Sequence, residues 1–152
     1  MMKRAISLIL LIILLVHTLS SCEAERDAYE IVRDFVSAYG AEGVIYSPRF
    51  TEGEEGYIRD DLVRKIYVFS GRFPENYAVF LNSRLDFSSE CGAFVSSDAE
   101  MLGMIEEMCL ERIRLLSEGG SHAFVKRSRN LVFYSTMKDR ARAEKIFSEI
   151  IR

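Results

Sequence analysis

The sequence predicts an α+β fold, a two-layer sandwich in which a small antiparallel sheet of about four strands carries helices on one face and is preceded by two N-terminal helices. Three observations lead there. Apolar residues recur at helical spacing over residues 26–39, short apolar runs bounded by turn residues follow from Tyr77 onward, and each pair of runs is followed by a helical stretch, giving the order ββαββα. At 152 residues, 49% apolar and 28% charged, the chain has the composition of one folded core, which excludes disordered and fibrous classes.

The first 21 residues stand apart from that core. Met1, Met2, Lys3 and Arg4 form a short positive start, Leu8 to Val16 is an unbroken apolar run, and the polar, small Thr18, Ser20 and Ser21 follow. This is the order of a secretory signal. A membrane-spanning helix wants about twenty predominantly apolar residues, and Ser7, His17, Thr18, Ser20 and Ser21 interrupt this one, so an uncleaved anchor is the second reading. Either way Lys3 and Arg4 remain inside and the rest crosses the membrane. Leu19-Ser20-Ser21-Cys22 resembles a bacterial lipobox, which implies that Cys22 becomes the lipidated N-terminus of the mature chain. Ser21 departs mildly from the commoner Gly or Ala. The diacylglycerol that this resemblance implies supplies two acyl chains, enough for stable anchoring. The expected organisation is a signal over 1–21, a short tether over 22–25 and one domain over 26–152, at the extracytoplasmic face of the cell membrane.

Within the domain, Ala28, Ile31, Val32, Phe35, Val36 and Tyr39 share one helical face, and Gly40 ends the helix. Ala41 to Gly56 is rich in glycine and acids and reads as an exposed loop. Tyr57 to Tyr67 reads as a short helix with Ile58, Leu62 and Ile66 on one side. Tyr77 to Leu81 and Cys91 to Val95 read as strands. Ser97 and Glu100 form an S-x-x-E capping box that opens a helix over about 98–117, and Gly119-Gly120 stops it. Ala123–Val125 and Leu131–Tyr134 flank Ser128-Arg129-Asn130, the pattern of a β-hairpin. A helix over about 138–151 follows a Thr136-x-x-Asp139 start, with Ala143, Ile146, Phe147, Ile150 and Ile151 at core spacing.

The mature chain also resembles the bacterial lipoprotein family known as domain of unknown function 4358. The shared features are the lipobox cysteine, the early helix, the Leu62 to Tyr67 segment leading to Pro74-Glu75-x-Tyr77, the paired strands, the long helix carrying Arg112, and the closing strand and helix around Ile146-Phe147. The likeness covers about residues 25–152. The connection from Ser117 to His122 is shorter than in that family, so no surface of the longer loop is carried over. The resemblance implies a lipid-anchored domain and no activity.

Chemistry-bearing residues are sparse. His122 is the only histidine beyond the signal, and no Cys/His spacing fits zinc, so no metal or cofactor is expected. His122 beside Ser121 lacks the G-x-S-x-G elbow of a nucleophilic serine, and no catalytic set is read. Glu52, Glu54 and Glu55 lack the alternating oxygen ligands of a calcium loop and read as a solvated run. Outside the cytoplasm a Cys91–Cys109 disulfide is chemically permitted, while each cysteine equally suits a buried apolar position. Arg112 falls in the apolar arc of its helix, where it must snorkel, meet a carboxylate or hold an anionic group.

Charge is uneven along the chain. Residues 126–152 carry about five more basic than acidic side chains, whereas the mature chain as a whole has a net charge of about −5. Lys126, Arg127 and Arg129 on the hairpin therefore face two fates, pairing with the acidic half or contacting an anionic polymer or headgroup. Export removes nucleic acid as a partner. The functional expectation is a noncatalytic binding or accessory domain at the cell envelope, held to the membrane through diacylglyceryl-Cys22, with an envelope protein or anionic polymer as partner. An envelope hydrolase using carboxylates and a purely structural lipoprotein are the alternatives.

Overall fold

The computed structural model describes residues 26–82, 89–116 and 122–152. The signal, the lipobox residues Leu19, Ser20, Ser21 and Cys22, the tether and the Gly119-Gly120 stop lie outside the described residues.

Helix α1 (Ala28–Tyr39) starts at Asp27, whose carboxylate accepts the Tyr29 amide at 2.8 Å, and ends at Gly40 in the left-handed region at φ 76°. Asn76 ties this start to the sheet by accepting the Ala28 amide at 2.9 Å and donating to the Arg26 carbonyl at 3.2 Å. The remaining elements are β1 (Gly43–Tyr46), α2 (Asp60–Ile66), β2 (Asn76–Asn82), β3 (Cys91–Val95), α3 (Ala99–Leu116), β4 (Phe124–Arg127), β5 (Leu131–Ser135) and α4 (Arg140–Ile150). From β2 onward this is the ββαββα order expected from the sequence, and the class is α+β.

The sheet is antiparallel throughout, in the order β1-β2-β3-β5-β4. Among the described residues it has five strands rather than about four. The extra strand, β1, falls where an exposed loop was expected, because four residues are too few to display a strand period against glycines and acids. Gly43 is required there by close approach: a Cβ at this position would stand 2.3 Å from the Leu81 carbonyl oxygen and 2.7 Å from the Phe80 ring. Beyond β1 the chain closes on itself through Ser47, whose amide donates to the Gly56 carbonyl and whose hydroxyl donates to the Tyr77 carbonyl at 2.9 Å.

Helices cover both faces of the sheet, so the molecule has three layers, and the expectation of helices on one face is corrected. Against α1 and α4, the sheet presents Ala78, Phe80, Cys91, Ala93, Val95 and Phe133. Against α2 and α3, it presents Tyr77, Val79, Phe94, Val132 and Tyr134. The alternation is the two-residue period of a strand, and because both faces are covered every residue of β3 and β5 is buried. On the first face Phe133 stacks on Phe147 of α4 with centroids 4.2 Å apart.

Two helix starts differ from the expected caps. Asp98, not Ser97, caps α3, its carboxylate accepting the amides of Glu100 and Met101 at 3.0 Å, while Ser96 orients it from behind. Asp139 caps α4 by accepting the Arg142 amide at 3.0 Å, and Thr136 is drawn away to a different task, described below.

Candidate functional site

Sequence reasoning singled out Arg112, and the structure places it at the centre of a buried polar cluster. Its partner is Glu90, the residue just before β3, which is 1% exposed. Glu90 is set by backbone pairing: the Thr136 amide donates to its carbonyl at 2.9 Å and its own amide donates to the Thr136 hydroxyl at 2.9 Å, prolonging the β3–β5 ladder by one rung. The carboxylate then turns toward α3. Arg112 meets it side-on, Nε donating to Oε1 at 2.8 Å and Nη2 to Oε2 at 2.9 Å, while Nη1 donates to the Ile66 carbonyl at the end of α2. Tyr134 donates its hydroxyl to Oε1 at 2.8 Å, and the Tyr67 and Tyr134 hydroxyls lie 2.5 Å apart. The Arg112 guanidinium also stands over the Tyr67 ring, 5.5 Å from its centroid.

The electrostatics of this cluster favour a fixed charge state. Burial works to neutralise Arg112, and the Glu90 carboxylate outweighs it, so the guanidinium is held above its ordinary value. Burial, followed by the nearby Glu90 charge, pushes the phenols of Tyr67 and Tyr134 well up, and both stay protonated donors. Three donors converge on one carboxylate, and the ion pair joins the end of α2, the C-terminal part of α3 and the β3–β5 ladder. Arg112 thus neither snorkels nor offers its fork to an outside anion, because Glu90 occupies it. The sequence named the arginine and missed the acid; the available signal was that a charge inside an apolar helical arc demands a carboxylate, but nothing in composition selects Glu90 among 23 acids.

Cys91 and Cys109 are free and buried. Cys91 belongs to the layer under α1 and α4, and Cys109 to the layer under α3, on the opposite face of the sheet. The disulfide alternative is thereby corrected, and the buried apolar placement is the one realised. Burial first, and the Glu90 charge second, push both thiols well above their ordinary value, which keeps them unreactive.

The basic hairpin is divided. Lys126 reaches Glu144 of α4 at 3.7 Å, and Arg127 reaches Glu106 of α3 at 3.2 Å and the Ala99 carbonyl at 2.9 Å. Successive residues point to opposite faces, so each cation ties the edge strand to a different helical layer. Arg129, at the hairpin tip, forms no ion pair among the described residues. It lines instead a cleft of about 450 Å³ with Arg26 and Arg152. His122 is half-buried just before β4, and Glu52 to Glu55 are exposed, with Glu54 folded back onto Thr51 by two hydrogen bonds. Among the described residues there is no metal-ligating group of His, Cys, Asp and Glu, and no helix is long and apolar enough to cross a membrane. Compared with known proteins, the chain matches no family model, no curated protein and no solved structure.

Proposed function

We propose that this chain is a lipid-anchored extracytoplasmic domain that acts by binding at the membrane surface, and that it belongs with the lipoproteins of domain of unknown function 4358 that its mature sequence resembles. The observation that carries the reading is the nearness of the folded core to Cys22. Asp27 already caps α1, and Arg26 already bonds the Ile150 carbonyl at the end of α4, so only residues 23–25 lie between Cys22 and packed structure. The four residue steps from Cys22 to Arg26 span at most about 14 Å, which holds the domain against the bilayer and leaves it little freedom to reach distant substrates. The buried polar cluster supports a binding role over catalysis, since the carboxylate of Glu90 is engaged by Arg112 and Tyr134 and a working acid or base needs a proton site open to substrate.

Intact-mass measurement on protein extracted from membranes tests the anchor. The expected species begins at Cys22, lacks residues 1–21 and carries a diacylglyceryl group. Recovery of a soluble, leader-bearing chain from the cytoplasm refutes the reading.

A further inference from the structure

The cleft at the hairpin tip sits at the end of the sheet where β3 finishes and β5 begins, between the start of α1 and the end of α4. Its charged side chains are Arg26, Arg129 and Arg152, and no acidic side chain lines it. On the far side of Arg26 lie three acids against two arginines, Asp27 pairing with Arg49 at 3.4 Å and Glu30 and Asp34 sharing Arg33 at 3.9 and 2.8 Å, so one negative charge is left there against the three arginines of the cleft. The rest of the basic hairpin differs in that each cation reaches a helix carboxylate: Arg127 pairs with Glu106, and Lys126 shares Glu144 with Arg140. A surplus of positive charge is therefore concentrated at one end of the fold. That end is the one from which residues 22–25 lead back to Cys22.

We propose that this cleft binds the phosphodiester headgroup of an anionic bilayer lipid, seating the domain on the membrane in a fixed orientation. The proposal rests on the anchored reading above, which brings the cleft within about 14 Å of the acylated cysteine. Guanidinium forks suit phosphate oxygens, which they engage through paired N–H groups. A volume of about 450 Å³ exceeds what a bare ion fills and suits a glycerophosphate. Ser128 and Asn130 flank Arg129 with hydroxyl and amide groups for the headgroup's polar end, and Ile31 and Val95 line the interior against its glycerol carbons. The occupant is committed by position: a membrane lipid is present at high local concentration beside a tethered domain, whereas a free anion is not.

The test uses the full chain extracted from membranes into neutral detergent, mixed with equimolar phosphatidylglycerol and phosphatidylcholine, and native mass spectrometry to count each lipid retained. Wild-type protein is expected to retain phosphatidylglycerol preferentially. Each arginine at an anionic surface contributes about a fivefold preference, so Arg129→Gln with Arg152→Gln is expected to reduce it by about 25-fold. Arg26 is left in place because it holds the end of α4. Lys126→Gln with Arg127→Gln removes the same charge from paired positions and is expected to leave the preference intact. Equal retention of the two lipids, an equal loss in both double variants, or displacement by millimolar inorganic phosphate overturns the proposal. The same spectra report the covalent mass, so a missing acyl group sinks the anchored reading separately from the lipid preference.

Discussion

Replacing Arg112 by Met tests whether the buried cluster holds the fold together. The substitution keeps most of the side-chain volume and removes the guanidinium, leaving the Glu90 carboxylate 1% exposed with Tyr134 as its remaining side-chain donor. Breaking a buried ion pair by removing one partner costs about 3–5 kcal/mol, because the surviving charge is neither solvated nor paired. For a domain of this size about 4 °C of melting temperature accompanies each kcal/mol, so a loss of about 12–20 °C is expected. Glu90→Leu strands the guanidinium instead, with the Ile66 carbonyl as acceptor, and costs about 3 kcal/mol. Combined, Glu90→Leu and Arg112→Met leave no buried charge, and the Tyr134 hydroxyl retains Tyr67 as partner. The double variant is expected within about 2 kcal/mol of wild type, a coupling of at least about 4 kcal/mol. Urea unfolding of all four proteins, followed by circular dichroism, measures the cycle. Single losses below about 1 kcal/mol, or a double loss equal to the sum of the singles, would show that the cluster is not the buried, mutually dependent unit described.

Three further outcomes follow from the same geometry. Cys91, Cys109, Tyr67 and Tyr134 all hold their protons more tightly folded than unfolded. Their stabilisation is thus complete below the unfolded values, near 9 for the thiols and 10 for the phenols, and is lost as pH rises through the folded ones. Unfolding free energy should be insensitive to these groups at pH 7–8 and fall above pH 9 by up to about 1.4 kcal/mol per pH unit for each group; a flat profile to pH 11 contradicts their burial. Tyr77 has a buried hydroxyl with no close hydrogen-bond partner among the described residues, and burial, then the charge of the nearby Asp60 carboxylate and the hydroxyl's side-chain interaction with it, push its phenol up. Tyr77→Phe removes that orphan and should raise stability by about 1 kcal/mol, read as a higher urea midpoint, whereas a loss of similar size would reveal a bond to that hydroxyl. Thiol titration of the mature protein without reductant should find Cys91 and Cys109 unreactive while folded and both reactive once unfolded; an unreactive pair in denaturant would mean that they are joined.

Much of the fold was readable because local signals and global packing agree. The ββαββα order, the hairpin turn at Ser128 to Asn130 and the apolar face of α1 each follow from short-range periodicity and turn chemistry. The number of layers was not read, although its mark was present. Cys91 to Val95 and Leu131 to Tyr134 are continuous apolar runs, the pattern of strands covered on both faces, and an open face would have required alternation with polar residues. The cap of α3 was misplaced by one residue because Ser96, Ser97 and Asp98 are all competent acceptors, and only the path of the chain out of β3 selects among them. Glu90 was beyond reach for a different reason. Its partner, Arg112, lies 22 residues away, and their meeting depends on the register of β3 against β5 and on the packing of α3, neither of which a local pattern encodes.

Charge of one kind is handled in opposite ways at the two ends of the central strands. At the Cys91–Ser135 end, Arg112 is sunk among donors and acceptors that consume its charge, and it joins two helices to the sheet. At the Val95–Leu131 end, about 13 Å away along four residue steps, Arg26, Arg129 and Arg152 are gathered around a cleft that no acidic side chain lines. Neither arrangement follows from the overall net charge, which is negative. Self-repulsion among three guanidiniums disfavours the folded state unless a counter-charge is supplied. The stiff, internally neutralised end does not require one. If the cleft is supplied by the bilayer, anionic lipid should raise the melting temperature of the wild-type protein above its value in neutral lipid, and should do so less for Arg129→Gln with Arg152→Gln. Differential scanning calorimetry of the full chain in vesicles of the two compositions measures this, and an equal rise in both proteins would place the lipid contact elsewhere on the surface.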